Sequence, residues 1–121
     1  MSNQKVLVVD DSPTELKFIS KTLMSGGYDV VTAKDGEEAL LQIESEPVGL
    51  VVLDVIMPKL NGFQVCRQIK SSDQHNGIKV ILLTSKMQES DKFWGKKQGA
   101  DIYMTKPFEV DELLANVSKL L

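Results

Sequence analysis

The sequence predicts an α/β fold, a doubly wound five-stranded parallel sheet with five helices on its two faces. Three observations predict it. Five short apolar runs alternate with five longer stretches of helical spacing along 121 residues. Four of the runs are continuous and rich in Val, Ile and Leu, the pattern of strands covered on both faces. Strict alternation of strand and helix in a chain this long implies right-handed crossovers within one sheet.

Each element can be justified in order. "KVLVV" (5–9) is the first strand. Ser12 then stands as an N-cap, Pro13 as the first helical residue, and Glu15 completes an S-x-x-E capping box. Leu16, Ile19 and Leu23 share one helical face, and Gly26-Gly27 ends the helix. "YDVVTA" (28–33) is more mixed and suits an edge strand, followed by the helical stretch "DGEEALLQIESE" (35–46). "LVVL" (50–53), "GFQVCRQIKSS" (62–72) and "KVILL" (79–83) continue the alternation. "QESDKFWGKKQG" (88–99) reads as a helix despite Gly95 in its middle, which weakens it by about 1 kcal/mol relative to Ala. "DIYMT" (101–105) is the fifth strand, and Val110, Leu113, Leu114, Val117 and Leu121 form the stripe of the last helix.

Composition narrows the function classes. The chain is 42% hydrophobic and 26% charged, the balance of a soluble globular domain. Its net charge of -3, with Lys and Arg dispersed, offers no basic footprint for nucleic acid or an anionic membrane. A lone cysteine, Cys66, excludes an internal disulfide and a cysteine-cluster metal site. The N-terminal "MSNQKVLVVDD" is neither a signal peptide nor a membrane span. Residues 1–121 are therefore expected to form a single cytoplasmic domain.

In parallel sheets ligands bind beyond the carboxyl ends of the strands. Asp10 and Asp11 follow the first run, Asp54 the third, Thr84-Ser85 the fourth and Lys106-Pro107 the fifth. Three carboxylates, a hydroxyl and an amine are thus expected at one sheet edge. Clustered anions repel unless a cation sits among them. Mg²⁺ is the natural choice, because it binds a few protein oxygens and leaves positions for phosphate. A carboxylate can act as the nucleophile to give an aspartyl-phosphate, with Lys106 and Thr84 contacting the phosphoryl oxygens. Taken singly, each residue has a plainer role: acids after strands cap helices, and "PKLNG" marks a turn. The convergence of four strand ends carries the functional reading.

The segments "VLVVDDS", "LVVLDVIMPKLNGF", "VILLTSK" and "GADIYMTKPF" resemble the receiver domain of CheY-like response regulators, and they span nearly the whole chain. The resemblance implies a flavodoxin-like strand order 2-1-3-4-5, an order for which CheY is itself a standard example. It implies that Asp54 accepts a phosphoryl group from a phosphohistidine on a CheA-like histidine kinase. Asp11 and Asp54 would bind Mg²⁺ directly, with the backbone carbonyl of Ile56, and Asp10 mainly through water. The Lys106–Pro107 peptide would be cis.

By the same resemblance Thr84 and Tyr103 form a switch pair. The hydroxyl moves toward the phosphate, the ring turns inward, and the face made by the fourth helix, fifth strand and fifth helix changes for a protein partner. Ile56 and Lys86 occupy the two positions that vary in the family and affect phosphate lifetime. Ile56 cannot hydrogen-bond an attacking water, whereas Lys86 can compete for the phosphate or an acidic partner.

The stretch from Leu83 to Phe108 is similar to single-domain receivers of twitching-motility and phototaxis systems, the PilH/PilG-like group. A stand-alone receiver acts by docking or as a phosphate relay, as a monomer or a weak phosphorylation-dependent dimer, and turns over no external substrate. Trp94 is a candidate docking anchor, with Lys86 and Tyr103 beside it. His75, in "SSDQHNG", is expected to be solvated, and Cys66 to serve packing.

Rival functions fit less well. A phosphatase of the haloacid dehalogenase type needs a second Asp two residues after its nucleophile, where this chain has Ser12 or Ile56. A nucleotide or flavin module lacks its glycine-rich phosphate cradle here. The intact acid set disfavours a receiver-shaped domain that is never phosphorylated.

Overall fold

A computed structural model describes residues 4–121. In chain order the elements are β1 (Lys5–Val9), α1 (Pro13–Ser25), β2 (Val30–Ala33), α2 (Gly36–Ser45), β3 (Val48–Leu53), α3 (Gly62–Ser71), β4 (Lys79–Thr84), α4 (Glu89–Lys97), β5 (Ile102–Thr105) and α5 (Val110–Leu120). The strands form one parallel sheet in the order β2-β1-β3-β4-β5. The architecture and the order therefore agree with the expected doubly wound fold.

Alternating side chains of each strand point to opposite faces. Leu7, Val9, Val51, Leu53, Val80 and Leu82 pack with Ala39, Ile43, Val65, Cys66 and Ile69 of α2 and α3. On the other face Val6, Val8, Leu50, Val52, Ile81 and Leu83 meet Ile19 and Leu23 of α1 and Leu113 and Val117 of α5. The central β3 is buried along its whole length, while β2 and β5 are partly exposed edges.

Several boundaries differ from expectation. β3 begins at Val48, because Lys5 donates to the Pro47 carbonyl at 2.8 Å and pairs with Val48 before the register shifts. At the chain end, Leu113 and Val117 are buried and Leu114 packs against them, but Val110 and Leu121 are exposed. The α5 stripe is therefore shorter than predicted. Cys66 is wholly buried, with its thiol pushed up to about 11 chiefly by burial, in keeping with a packing role. His75 is half-buried rather than solvated: its Nε2 lies 3.5 Å from Glu44 Oε1, beside Ile43 and Ile69 in the α2–α3 cleft. Among the described residues no helix is long and apolar enough to cross a membrane.

Candidate functional site

Backbone geometry places Asp54. Its N–H donates to the Val9 carbonyl at 3.0 Å, which holds the end of β3 beside β1. The following turn sends Val55 and Met57 inward and leaves Ile56 exposed. Asn61 caps α3 by accepting from Gln64 N at 2.9 Å, and Gln64 Oε1 accepts from Asn61 N at 2.8 Å. Gly62 donates to the Val55 carbonyl at 2.9 Å. A Cβ at Gly62 would collide with the Asp54 carbonyl oxygen and the Val55 Cα. The start of α3 thus presses directly on the backbone that carries the carboxyl group, and only glycine allows that approach.

Asp10, Asp11 and Asp54 each offer a carboxylate oxygen within 4.8 Å of the other two. Asp10 and Asp54 are buried, and Asp11 is exposed. Asp10 Oδ1 accepts from Ser12 N at 2.9 Å, and its Oδ2 accepts from Lys106 Nζ at 2.8 Å. Asp54 Oδ1 accepts from Ile56 N at 3.3 Å, and its Oδ2 lies 3.4 Å from Lys106 Nζ. Burial pushes the Asp54 carboxyl above the usual carboxylate range; Lys106 opposes this and Asp10 reinforces it. The Ile56 N–H and Thr84 hydroxyl lower it further. Burial also works against the Lys106 ammonium, but hydrogen bonds to Asp10 and Glu15 and the nearby Asp54 charge outweigh it, so its pKa is raised. The Lys106–Pro107 peptide is cis.

Glu15 is the member that sequence reasoning missed. Ser12 Oγ does accept from Glu15 N, at 3.4 Å, but Ser12 N–H goes to Asp10 instead of Glu15. Only half of the expected capping box forms. The Glu15 carboxylate turns to Lys106, 2.6 Å away. Its position one turn after the Asp pair was the available signal, and the capping motif masked it.

The donor set fits a hard divalent cation. Clustered carboxylate oxygens, one on an exposed side chain, are the ligands Mg²⁺ takes, and the exposed side leaves room for water or phosphate. The ammonium of Lys106 neutralises part of the same charge from the β5 side.

Thr84 is fully buried, and its Oγ1 accepts from Lys86 N at 3.3 Å. The Tyr103 hydroxyl donates to the Lys86 carbonyl at 2.7 Å, so one residue links both members of the expected switch pair. Burial, then the charges of Asp91 and Asp54, push the Tyr103 phenol up to about 12. The Lys86 ammonium lies 3.5 Å from Asp91 at the start of α4, a partner that the sequence reading had not assigned to it. Trp94 is 50% exposed on α4, next to Phe93, which is also exposed.

A family model described as "Response regulator receiver domain" matches residues 6–118. The chain belongs to this family. The receiver is 40% identical over 117 residues to Protein PilH of Pseudomonas aeruginosa, covering 97% of each chain. It is 46% identical over 119 residues to the alkaline phosphatase synthesis transcriptional regulatory protein PhoP of Bacillus subtilis. That match covers 98% of this chain but only 49% of PhoP, so the receiver spans about half the length of that relative. Among solved structures, the Vibrio cholerae chemotaxis protein CheY4 is similar with a TM-score of 0.91 at 33% identity, covering 99% of this chain and 100% of that one. Receiver domains take phosphate from histidine kinases, bind Mg²⁺ at their acidic pocket and act on output partners. They serve as phosphoacceptor switches in two-component signalling.

Proposed function

We propose that this receiver is a cytoplasmic, phosphorylation-controlled switch whose phosphoacceptor is Asp54. The observation that carries this reading is a buried carboxyl at the end of β3, with Asp10 and Asp11 within 4.8 Å and Lys106 Nζ at 3.4 Å. A carboxylate oxygen of Asp54 forms the new P–O bond as the P–N bond of a kinase phosphohistidine breaks. The departing imidazole takes up a proton. Bound Mg²⁺ supplies charge neutralisation for the transferring phosphoryl oxygens. Asp11, Asp54 and the Ile56 carbonyl would hold it, and Asp10 would act mainly through water.

Lys106 and Thr84 stabilise the phosphoryl group, and Tyr103 relays the change to the α4–β5–α5 face. Trp94, Lys86 and Tyr103 there meet the protein partner. The kinase is CheA-like and the output belongs to motility or taxis signalling. The protein assists its own phosphorylation and dephosphorylation and turns over no external substrate. A direct test is binding of beryllofluoride with Mg²⁺, followed by ¹⁹F NMR. Wild type should show a bound resonance that is lost with Asp54→Ala or EDTA. A chain that never shows this resonance is not such a switch.

A further inference from the structure

Gly95 is buried in the middle of α4, where glycine is a poor helix former. Its surroundings explain its presence. A Cβ built there would stand 2.8 Å from Tyr103 Cδ2, 3.0 Å from Tyr103 Cε2 and 3.0 Å from Leu82 Cδ1. The Tyr103 ring is therefore laid flush on the α4 backbone while its hydroxyl is tied to the Lys86 carbonyl at 2.7 Å. The ring is held at both ends, by a loop carbonyl and by a helix with no side chain at the point of contact. Trp94, the only tryptophan, is the preceding residue on that helix and is half exposed.

We propose that Gly95 is a positioning residue: it is the seat that admits the Tyr103 ring onto α4 and couples the ring to the exposed aromatic pair Phe93–Trp94. This rests on the reading of Thr84 and Tyr103 as a switch pair, and it names the contact through which β5 moves α4. With the ring seated, α4 lies close against β5. With the ring out, nothing at Gly95 holds the helix at that distance, and the surface carrying Trp94 changes.

The test compares wild type, Gly95→Ala, Tyr103→Ala and the double variant by thermal unfolding. NMR contacts between the Tyr103 ring and the Leu82 methyls, and Trp94 emission with beryllofluoride and Mg²⁺, complete it. Alanine is the better helix former, so a glycine without this role would make Gly95→Ala stabilising everywhere. The seat predicts a sign reversal. Gly95→Ala should lower the Tm by about 4 °C or more when Tyr103 is present, and raise it when Tyr103 is Ala.

In Gly95→Ala the ring-to-Leu82 contacts should be lost and the beryllofluoride-induced change in Trp94 emission should fall at least twofold. A raised Tm in both backgrounds with ring contacts intact would overturn the seat. Should Gly95→Ala fail to fold while the double variant folds, the reversal stands in its strongest form. If neither folds, the obstruction is not the ring and the proposal falls. Beryllofluoride that binds wild type without altering the ring resonances would instead overturn the switch reading, and the sign reversal would remain.

Discussion

Replacing Lys106 with Met removes an ammonium from the point where three carboxylates converge. Its Nζ lies 2.6 Å from Glu15, 2.8 Å from Asp10 and 3.4 Å from Asp54. Asp10 is 1% exposed, so it would become a buried carboxylate with no cation beside it. Breaking such a pair from one side costs about 3–5 kcal/mol. Two effects reduce that figure here. Glu15 is exposed enough to turn to water, and the variant no longer has to bury an ammonium. A net loss of about 2–3 kcal/mol at pH 7 is expected, read as a fall of about 1–2 M in the urea midpoint.

The pH dependence separates this cause from lost packing. The raised pKa of Lys106 means that its contribution is fully present below about 10.5 and is lost as pH rises through the raised value. The deficit of Lys106→Met should therefore vanish in strong alkali. It should also shrink in acid, as the Asp54 carboxyl, whose pKa is already raised, takes up its proton. Mg²⁺ should recover more stability in the variant than in wild type, because it replaces a missing charge. Equal stability at pH 7, or a deficit that persists unchanged on acidification, would refute the view that Lys106 neutralises this acid cluster.

Three other outcomes follow from the same geometry. Asp54→Asn should be more stable than wild type at pH 7: the raised Asp54 pKa means the ionised carboxyl costs stability, which wild type regains as pH falls through that pKa. A denaturation series from pH 7 to 4 should accordingly show a smaller acid-side gain in the variant, and an identical profile would contradict it. Gly62→Ala should lose about 1–3 kcal/mol in urea unfolding, because its Cβ meets the Asp54 carbonyl and Val55 Cα. The Cys66 thiol, fully buried and pushed up to about 11, should resist a thiol reagent at pH 8 until the protein unfolds. Rapid labelling of the folded protein would show that α3 opens at Cys66.

The continuous Val, Ile and Leu runs were enough to place the sheet, because both faces of β1, β3 and β4 are covered and leave no alternation. Asp10, Asp54, Thr84 and Lys106 were legible for a related reason: a parallel sheet brings every strand end to one edge. What was not legible depends on contacts between distant segments. Glu15 has two possible partners, and local spacing favours Ser12, yet Lys106 is the cation that only β5 delivers. Val48 and Gly49 follow Pro47 and lie outside the apolar run 50–53, and only the pairing of Lys5 with Val48 draws them into β3. Gly95 looks like a defect in α4 when the helix is read alone, because the Tyr103 ring that needs it comes from the next strand. His75 similarly faces Glu44 from across the α2–α3 cleft, which no loop composition reveals.

The most direct test of the central claim is intact mass after incubation with acetyl phosphate, and separately with phosphoramidate, in the presence of Mg²⁺. Wild type should gain one phosphoryl group, and the gain should disappear in Asp54→Ala and with EDTA. An adduct of equal yield in Asp54→Ala, or none from either donor, would contradict the assignment of Asp54 as the phosphoacceptor.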